Sequence, residues 1–259
     1  MMWNEGWMAA AAIAVFGLAG CVKGVVGLGL PTVSMALLAV FMPPAQAAAL
    51  LLLPSLVTNL VQMRPVAGLR PLLQRLGWMQ LGIVLGTLGG AALWGGVGSL
   101  PAARPALGLA LAMYALWGLS GLRWQTPAPH QAWLGAACGL LTGAITAVTG
   151  VFVVPAVAFL QSLGLSRPGL MQAMGLCFTT STLALGAGLL WQGQGLGGQA
   201  QAQAQDLGLG LGLLASALML IPALAGMHWG ELLREKLSPE LFRKLLMLSL
   251  LALGVYLCF

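Results

Sequence analysis

Long apolar runs recur along the chain, broken by short polar or glycine- and proline-bearing gaps, with no strand-like alternation inside them. A helix needs about 20 apolar residues to cross a bilayer, and about 17 can suffice. The runs at 7–22, 25–42, 45–63, 76–97 and 105–122 make five segments, and those at 132–148, 151–163, 169–191, 207–229 and 240–259 make five more. Between the two sets lies a polar stretch, 123–130, containing Pro127 and Pro129. The pattern predicts an all-α polytopic membrane protein in two repeats, 1–123 and 132–259, joined by a linker at 124–131. The first two segments of each set are short or broken, so the pattern allows eight to ten transmembrane helices. Each such pair returns the chain to the side it started from, whether it crosses twice or re-enters.

Two gaps differ from the rest. GCVKGVVGLGLP occupies residues 20–31, and GLLTGAITAVTGVFVVP occupies residues 139–155. Glycine lets a backbone leave helical geometry, and proline cannot donate to a helix already under way. Unwound backbone at membrane depth is tolerated only where protein buries it or where it lines a cavity. Two such breaks in corresponding halves point to a transporter's binding site. The halves also share a grammar. Gly20 and Gly24 are matched by Gly139 and Gly143, Pro31 by Pro155, and Pro101 by Pro239.

Composition sharpens the class. The 259 residues are 59% hydrophobic and 6% charged, against about 25% charged in soluble domains. The net charge of +6 does not indicate nucleic-acid binding, because the Lys and Arg residues fall mostly in short gaps between apolar runs. With the loop carrying Arg64, Arg70 and Arg75 in the cytoplasm, Arg123, Arg167, Arg234, Lys236, Arg243 and Lys244 also fall inside. The loop at 192–206, which has no Lys or Arg, falls outside, and Arg104 is the exception. Both termini are then external, in a multi-pass protein of the inner (plasma) membrane. Five segments per half is an odd number, so the halves have opposite orientation, an inverted repeat. Glu5 and the lack of Lys or Arg ahead of the first run argue against a cleaved signal peptide.

The acidic residues limit the chemistry. Glu5, Asp206, Glu231, Glu235 and Glu240 are the only carboxylates, and all lie in loops or at segment ends. Intramembrane carboxylates are the usual proton relays and cation ligands. Without them, a site of backbone N–H groups, hydroxyls and amides favours an anion, especially where half-helices aim positive N-termini at it. The candidate ligands at the first break are Gly24, Gly27, Gly29 and Lys23, and on the third segment Thr58, Asn59 and Gln62. In the second half they are Thr142, Thr146, Thr149 and Gly150, with Thr179 and Thr180 on the segment matching the third. Ser181 and Thr182 continue that hydroxyl run, of which at most two members face any one site, and Thr32 and Ser34 are weaker candidates. Two readings of Lys23 stay open: a positive charge beside an anion pathway, or a side chain snorkelling to the nearby interface. Its counterpart in the second repeat is Thr142, which does not support a symmetric lysine clamp. The hydroxyls have a plainer reading too, as interhelical hydrogen bonds worth about 0.6 kcal/mol each. Gly82, Gly86 and Gly90, and Gly226 and Gly230, have the spacing of close helix packing. The four cysteines and two histidines have no metal-ligand spacing, and no nucleophile–base pair or nucleotide fingerprint is present, so neither a cofactor, a metal nor a catalytic role is expected.

The glycine stretch before Pro31, its second copy before Pro155, the segment PSLVTNLVQ at 54–62 and the late run ALAGMHWGELLREKLSPELFRKLLML at 223–248 together resemble the TauE/SafE family of sulfite and sulfonate exporters. The resemblance covers nearly the whole chain. It implies a secondary permease for sulfite or an organosulfonate, working in the export direction, with the lipid bilayer and a small anion as its partners. An anion channel and a non-catalytic membrane subunit of a larger assembly are the alternatives, and a homo-oligomer is left open.

Overall fold

The computed structural model describes residues 2–64, 66–122, 124–192, 205–234, 236 and 238–259. Each apolar run there contains one helix. These are α1 (Met2–Val26), α2 (Leu30–Leu38), α3 (Pro44–Gln62), α4 (Leu69–Trp94), α5 (Ala103–Ser120), α6 (Gln131–Thr149), α7 (Ala156–Ser162), α8 (Arg167–Trp191), α9 (Gln205–Leu233) and α10 (Pro239–Cys258). Arg123, Glu235 and most of the loop at 192–206 (residues 193–204) lie outside the described residues, as do the side chains of Glu5 and Asp206. Among the described residues, seven helices are long and apolar enough to cross a membrane: α1, α3, α4, α6, α8, α9 and α10. The fourth helix begins earlier than its apolar run, so Arg70 and Arg75 lie in α4 and not in a loop.

The short member of each pair is the second, whereas the sequence pattern put both first segments among the short ones. At about 1.5 Å per residue, the 9-residue α2 and 7-residue α7 cover about 14 and 10 Å of a hydrocarbon core about 30 Å thick. By contrast α1 has 25 residues and α6 has 19. Both pairs still double back. Phe41, beyond the end of α2, lies against Trp7 near the start of α1, with ring centroids 5.6 Å apart. Ser162 at the end of α7 is hydrogen-bonded to Thr126, ahead of α6, at 2.6 Å.

The breaks are also narrower than the sequence suggests. α1 runs straight through Gly20, Lys23 and Gly24 to Val26, and α6 runs through Gly139 and Gly143 to Thr149. These glycines are packing notches. A Cβ on Gly20 or Gly24 would fall 2.2 Å from a carbonyl oxygen of α9, at Ala223 or Met227. One on Gly139 would fall 2.2 Å from Met79 O of α4, and one on Gly143 2.4 Å from Ile83 O. The glycines of α9 and α4 answer in kind: Gly226 and Gly230 face Gly17 and Cys21, and Gly82 and Gly86 face Ala136 and Leu140. Removing four side chains per crossing lets the backbones touch, which is how helices associate where lipid provides no hydrophobic drive.

Around the tight pairs α1–α9, α4–α6 and α5–α10, the centre is held by α3 against α8, with α3 also touching α9 and α8 touching α4. Pro54 inside α3 has no N–H for the carbonyl of Leu50. Ser216 of α9 replaces it, donating its hydroxyl to Leu50 O at 2.8 Å and accepting from Leu53 N–H at 3.2 Å. The polarity of the bundle is turned inward. Lys23, Ser55, Thr58, Asn59, Thr142 and Ser181 are buried, whereas Leu85, Leu93, Leu140, Leu214 and Ile221 are exposed. A surface of leucines around a polar interior suits lipid as the surrounding solvent. Trp94, Trp133, Trp191 and Trp229 are exposed at or near helix ends, as interfacial anchors are.

Candidate functional site

Lys23 lies in the last turn of α1, and its side chain is 3% exposed. It therefore does not snorkel to the interface. Its ammonium donates to Thr58 Oγ1 at 3.1 Å and to Asn59 Oδ1. Asn59 in turn donates through Nδ2 to Thr182 Oγ1 at 3.5 Å, and Thr182 donates to Phe178 O at 2.7 Å. The chain of donors starts at Lys23 and ties α1 to α3 and α8. The α1 C-terminus, the negative end of that helix's dipole, favours the charge. Ser55, Thr58, Asn59 and Gln62 share one face of α3, at i, i+3, i+4 and i+7. That shared face is why three of the predicted residues meet one lysine.

An ammonium has three N–H donors. Two are used, and no carboxylate among the described residues pairs with the third. Burying an ion without a counter-ion costs several kcal/mol, which hydrogen bonds to neutral partners only partly offset. The cluster therefore offers a buried lysine amine with a spare donor and no carboxylate partner among the described residues, and a small anion would supply the missing counter-charge.

The first break consists of Gly27, Leu28 and Gly29. Gly27 has φ +76 and Gly29 φ +113, conformations that favour glycine. Gln62 pins this turn: its amide donates to Gly27 O at 2.9 Å and to Met171 O, near the start of α8, at 3.2 Å. The Met171 thioether packs on Gly27, where a Cβ would meet it at 2.3 Å. Gly29 caps α2, and no side chain occupies that cap. Gly24, two turns into the α1–α9 crossing, is covered by the α9 backbone and is not at the break.

The second break is chemically different. Gly150 closes α6 with φ +71, its N–H bonded to Thr146 O. Thr146 donates to Thr142 O at 2.7 Å, and Thr149 donates to Ile145 O at 2.7 Å while accepting from Val151 N–H. Val151, Phe152 and Val153 then continue as buried apolar residues, with Phe152 against the Phe178 ring. On α8, Thr179 donates to Gly175 O and Thr180 to Leu176 O. A hydroxyl whose hydrogen is committed to a carbonyl offers an anion no donor. In this conformation Thr146, Thr149, Thr179 and Thr180 are committed in that way. Thr142 is not: its hydroxyl is buried without a partner among the described residues, as are those of Thr32, Ser34, Ser55, Thr87 and Ser181. The residues expected to act together thus divide. Lys23, Thr58, Asn59 and Thr182 meet directly, Gln62 bonds Gly27 at the first break, and the Thr146–Gly150 group caps a helix.

Ser55 and Ser216 were not singled out from the sequence. Ser55 was legible as the fourth member of the α3 polar face. Ser216 carried no local signal, because its partners are 163 and 166 residues away.

Comparison with curated proteins and with solved structures returns no match. A family model does match, described as "Sulfite exporter TauE/SafE", over residues 12–257, which takes in both breaks, the Lys23–Asn59 cluster and every tight helix pair. The chain belongs to the TauE/SafE family, a family of multi-pass membrane transporters.

Proposed function

We propose that this protein is a secondary permease for a small anion of the sulfite and organosulfonate class, working as an exporter. The observation that carries the reading is Lys23: a buried ammonium bonded to Thr58 and Asn59, with a free donor and no carboxylate partner among the described residues. The family supplies the sulfur-anion class.

Two inverted repeats, 1–123 and 132–259 around the linker at 124–131, are the architecture that fits this mechanism. The packing pattern supports it. Exchanging each helix for the one five places along turns α1–α9 into α6–α4 and α3–α9 into α8–α4, and leaves α3–α8 and α5–α10 unchanged; all of these contacts occur. The two breaks also fall at opposite ends of the bundle. Gly27 is bonded by Gln62, next to Arg64, whereas Gly98 N–H, beyond α4, reaches Val148 O at 3.3 Å beside the second break. The end with the first break holds Arg64, Arg70, Arg75 and Arg167, which supports its being the cytoplasmic end by the positive-inside rule, with both termini outside. Rocking of one repeat against the other would expose the Lys23–Asn59 cluster alternately. The anion would then exchange its hydration for Lys23 and the unpartnered hydroxyls of Ser55, Thr142 and Ser181.

The test is flux of radiolabelled sulfite and of a short alkanesulfonate in proteoliposomes. Lys23→Gln removes the charge and is expected to lower flux by about 10-fold or more, given the loss of a charge-assisted hydrogen bond in a low-dielectric site. Asn59→Ala is expected to lower it by a similar factor. Robust flux unchanged in both variants would remove this site. Saturable counterflow is expected, and its absence alongside rapid flux would make the protein a channel.

A further inference from the structure

At the end of the bundle that holds the first break lies a cavity of about 280 Å³, between the break itself and α5, α8 and α10. Arg167, the first residue of α8, and Arg243 of α10 line it, together with Gln161. Its walls include Tyr114 and Trp117 of α5 and the methionines Met174 and Met247. Among the described residues no carboxylate lines it. Glu240 precedes Arg243 by three residues on α10 without forming an ion pair with it among the described residues. Tyr114 is 5% exposed. Two helices begin at this cavity: Arg167 opens α8, and Leu28, which lines the cavity, precedes the N-terminus of α2. Three others end at it, α1 at Val25 and Val26, α5 at Trp117 and Gly118, and α7 at Gln161, so the helix dipoles add no net positive field and the charge is that of the two guanidinium groups.

We infer that this cavity is an anion-binding vestibule, distinct from the Lys23 cluster, and that it takes small organosulfonates in preference to sulfite. The sulfonate sits against Arg167 and Arg243, and the organic body lies among Trp117, Met174 and Met247. The volume carries the size argument. About 280 Å³ is roughly nine times the space one water occupies in the liquid, and near the lower end of ligand pockets. A bare trioxide leaves most of it empty and leaves the aromatic and thioether walls unused. A planar guanidinium fork matches sulfonate oxygens in the way it matches phosphate. The vestibule ends at the break. Met171 both lines the cavity and packs on Gly27, and Gln62 bonds the carbonyls of both. An anion held there is separated from Lys23 by this latch.

The assignment deepens the transporter reading but is tested by binding, which flux alone does not decide. Full-length protein in nanodiscs is titrated calorimetrically with 1-propanesulfonate and, separately, with sulfite. Arg167→Gln and Arg243→Gln are each expected to weaken propanesulfonate binding by about 5-fold or more, and the double variant by about 30-fold, the range for charge-assisted hydrogen bonds on an exposed rim. Arg243→Lys keeps the charge and is expected to recover part of the loss. Lys23→Gln is expected to leave the arginine-dependent component of this binding within about twofold while lowering flux, because the two sites are separate. Several outcomes overturn the inference: no arginine-dependent propanesulfonate binding by the wild type, sulfite binding as tightly at the arginine-dependent site, a double arginine variant that binds normally, or loss of the arginine-dependent component in Lys23→Gln. Absence of flux for either anion, with arginine-dependent binding intact, would instead sink the transporter reading and leave the vestibule standing.

Discussion

Lys23 is where charge, burial and hydrogen bonding converge on a single side chain. Its ammonium depends on Asn59 and Thr58, so the two ends of the interaction respond differently to substitution. Lys23→Met replaces a buried cation with an apolar chain of similar length and is expected to change stability by under about 1 kcal/mol, since burying an ion is itself unfavourable. Asn59→Leu leaves the cation buried with one fewer acceptor and is expected to cost about 2–3 kcal/mol, the usual worth of a hydrogen bond to a charged group. The double variant should recover most of that loss. Thermal unfolding in detergent checks all three, and strict additivity would mean that the two side chains are not coupled. The sequence marked both residues as candidates. It left Lys23 with two orientations, because a lysine near a helix end can turn to the interface or into the bundle, and the choice depends on what α3 presents to it.

At the scale of the element, backbone packing and backbone repair dominate. Gly24→Ala would drive a methyl group to within 2.2 Å of the Met227 carbonyl, so α1 and α9 must separate. A cost of several kcal/mol and a sharp drop in folded yield are expected, beyond the 1–3 kcal/mol typical of overpacking. Gly89→Ala on α4 meets nothing within 4 Å and should be neutral or stabilise by up to about 1 kcal/mol through helix propensity. Yield and melting of the two variants, compared by size-exclusion fluorescence, separate a packing notch from a free glycine. In α3, Ser216→Ala strands the Leu50 carbonyl and is expected to cost about 1–3 kcal/mol. Restoring the missing N–H with Pro54→Ala should make the same serine substitution nearly silent. The small-residue spacing was legible on α1, α4, α6 and α9. That Gly20, Gly24, Gly139 and Gly143 sit in unbroken helix was not, because a glycine that permits a turn and one that permits a close approach look alike along the chain.

For the whole molecule, the distribution of cations and the two oppositely placed breaks make a topological prediction. In a cysteine-free background, a cysteine at Gln74, exposed beside Arg75, should react with a membrane-impermeant maleimide only from the cytoplasmic side. One at Ala102, exposed beside the outlying Arg104, should react only from outside. Labelling of both from the same side would break the inverted arrangement, since the remainder of α4 beyond Gln74 lies between them. Ten runs, each holding a helix among the described residues, and the class of protein were visible beforehand. Hydrophobic length and the placement of charge are local quantities, and membranes act on them directly. The lengths of the pairs were less visible. α2 and α7 stop short because their runs continue as turn or extended backbone, and apolar composition does not distinguish these from helix.

Composition by itself determined that this chain lives in a bilayer, that it lacks the mid-membrane carboxylates of a cation pathway, and that its polar residues cluster in few places. Those properties follow from residue type and spacing, which tertiary structure cannot alter. Only the packing of α1, α3 and α8 decided that Lys23 turns inward to Asn59, that the threonines of the second break are committed to their own helix, and that Arg167 and Arg243, 76 positions apart, line one cavity. Each of these depends on which side chains meet across helices distant in sequence, and such meetings leave no periodicity to read.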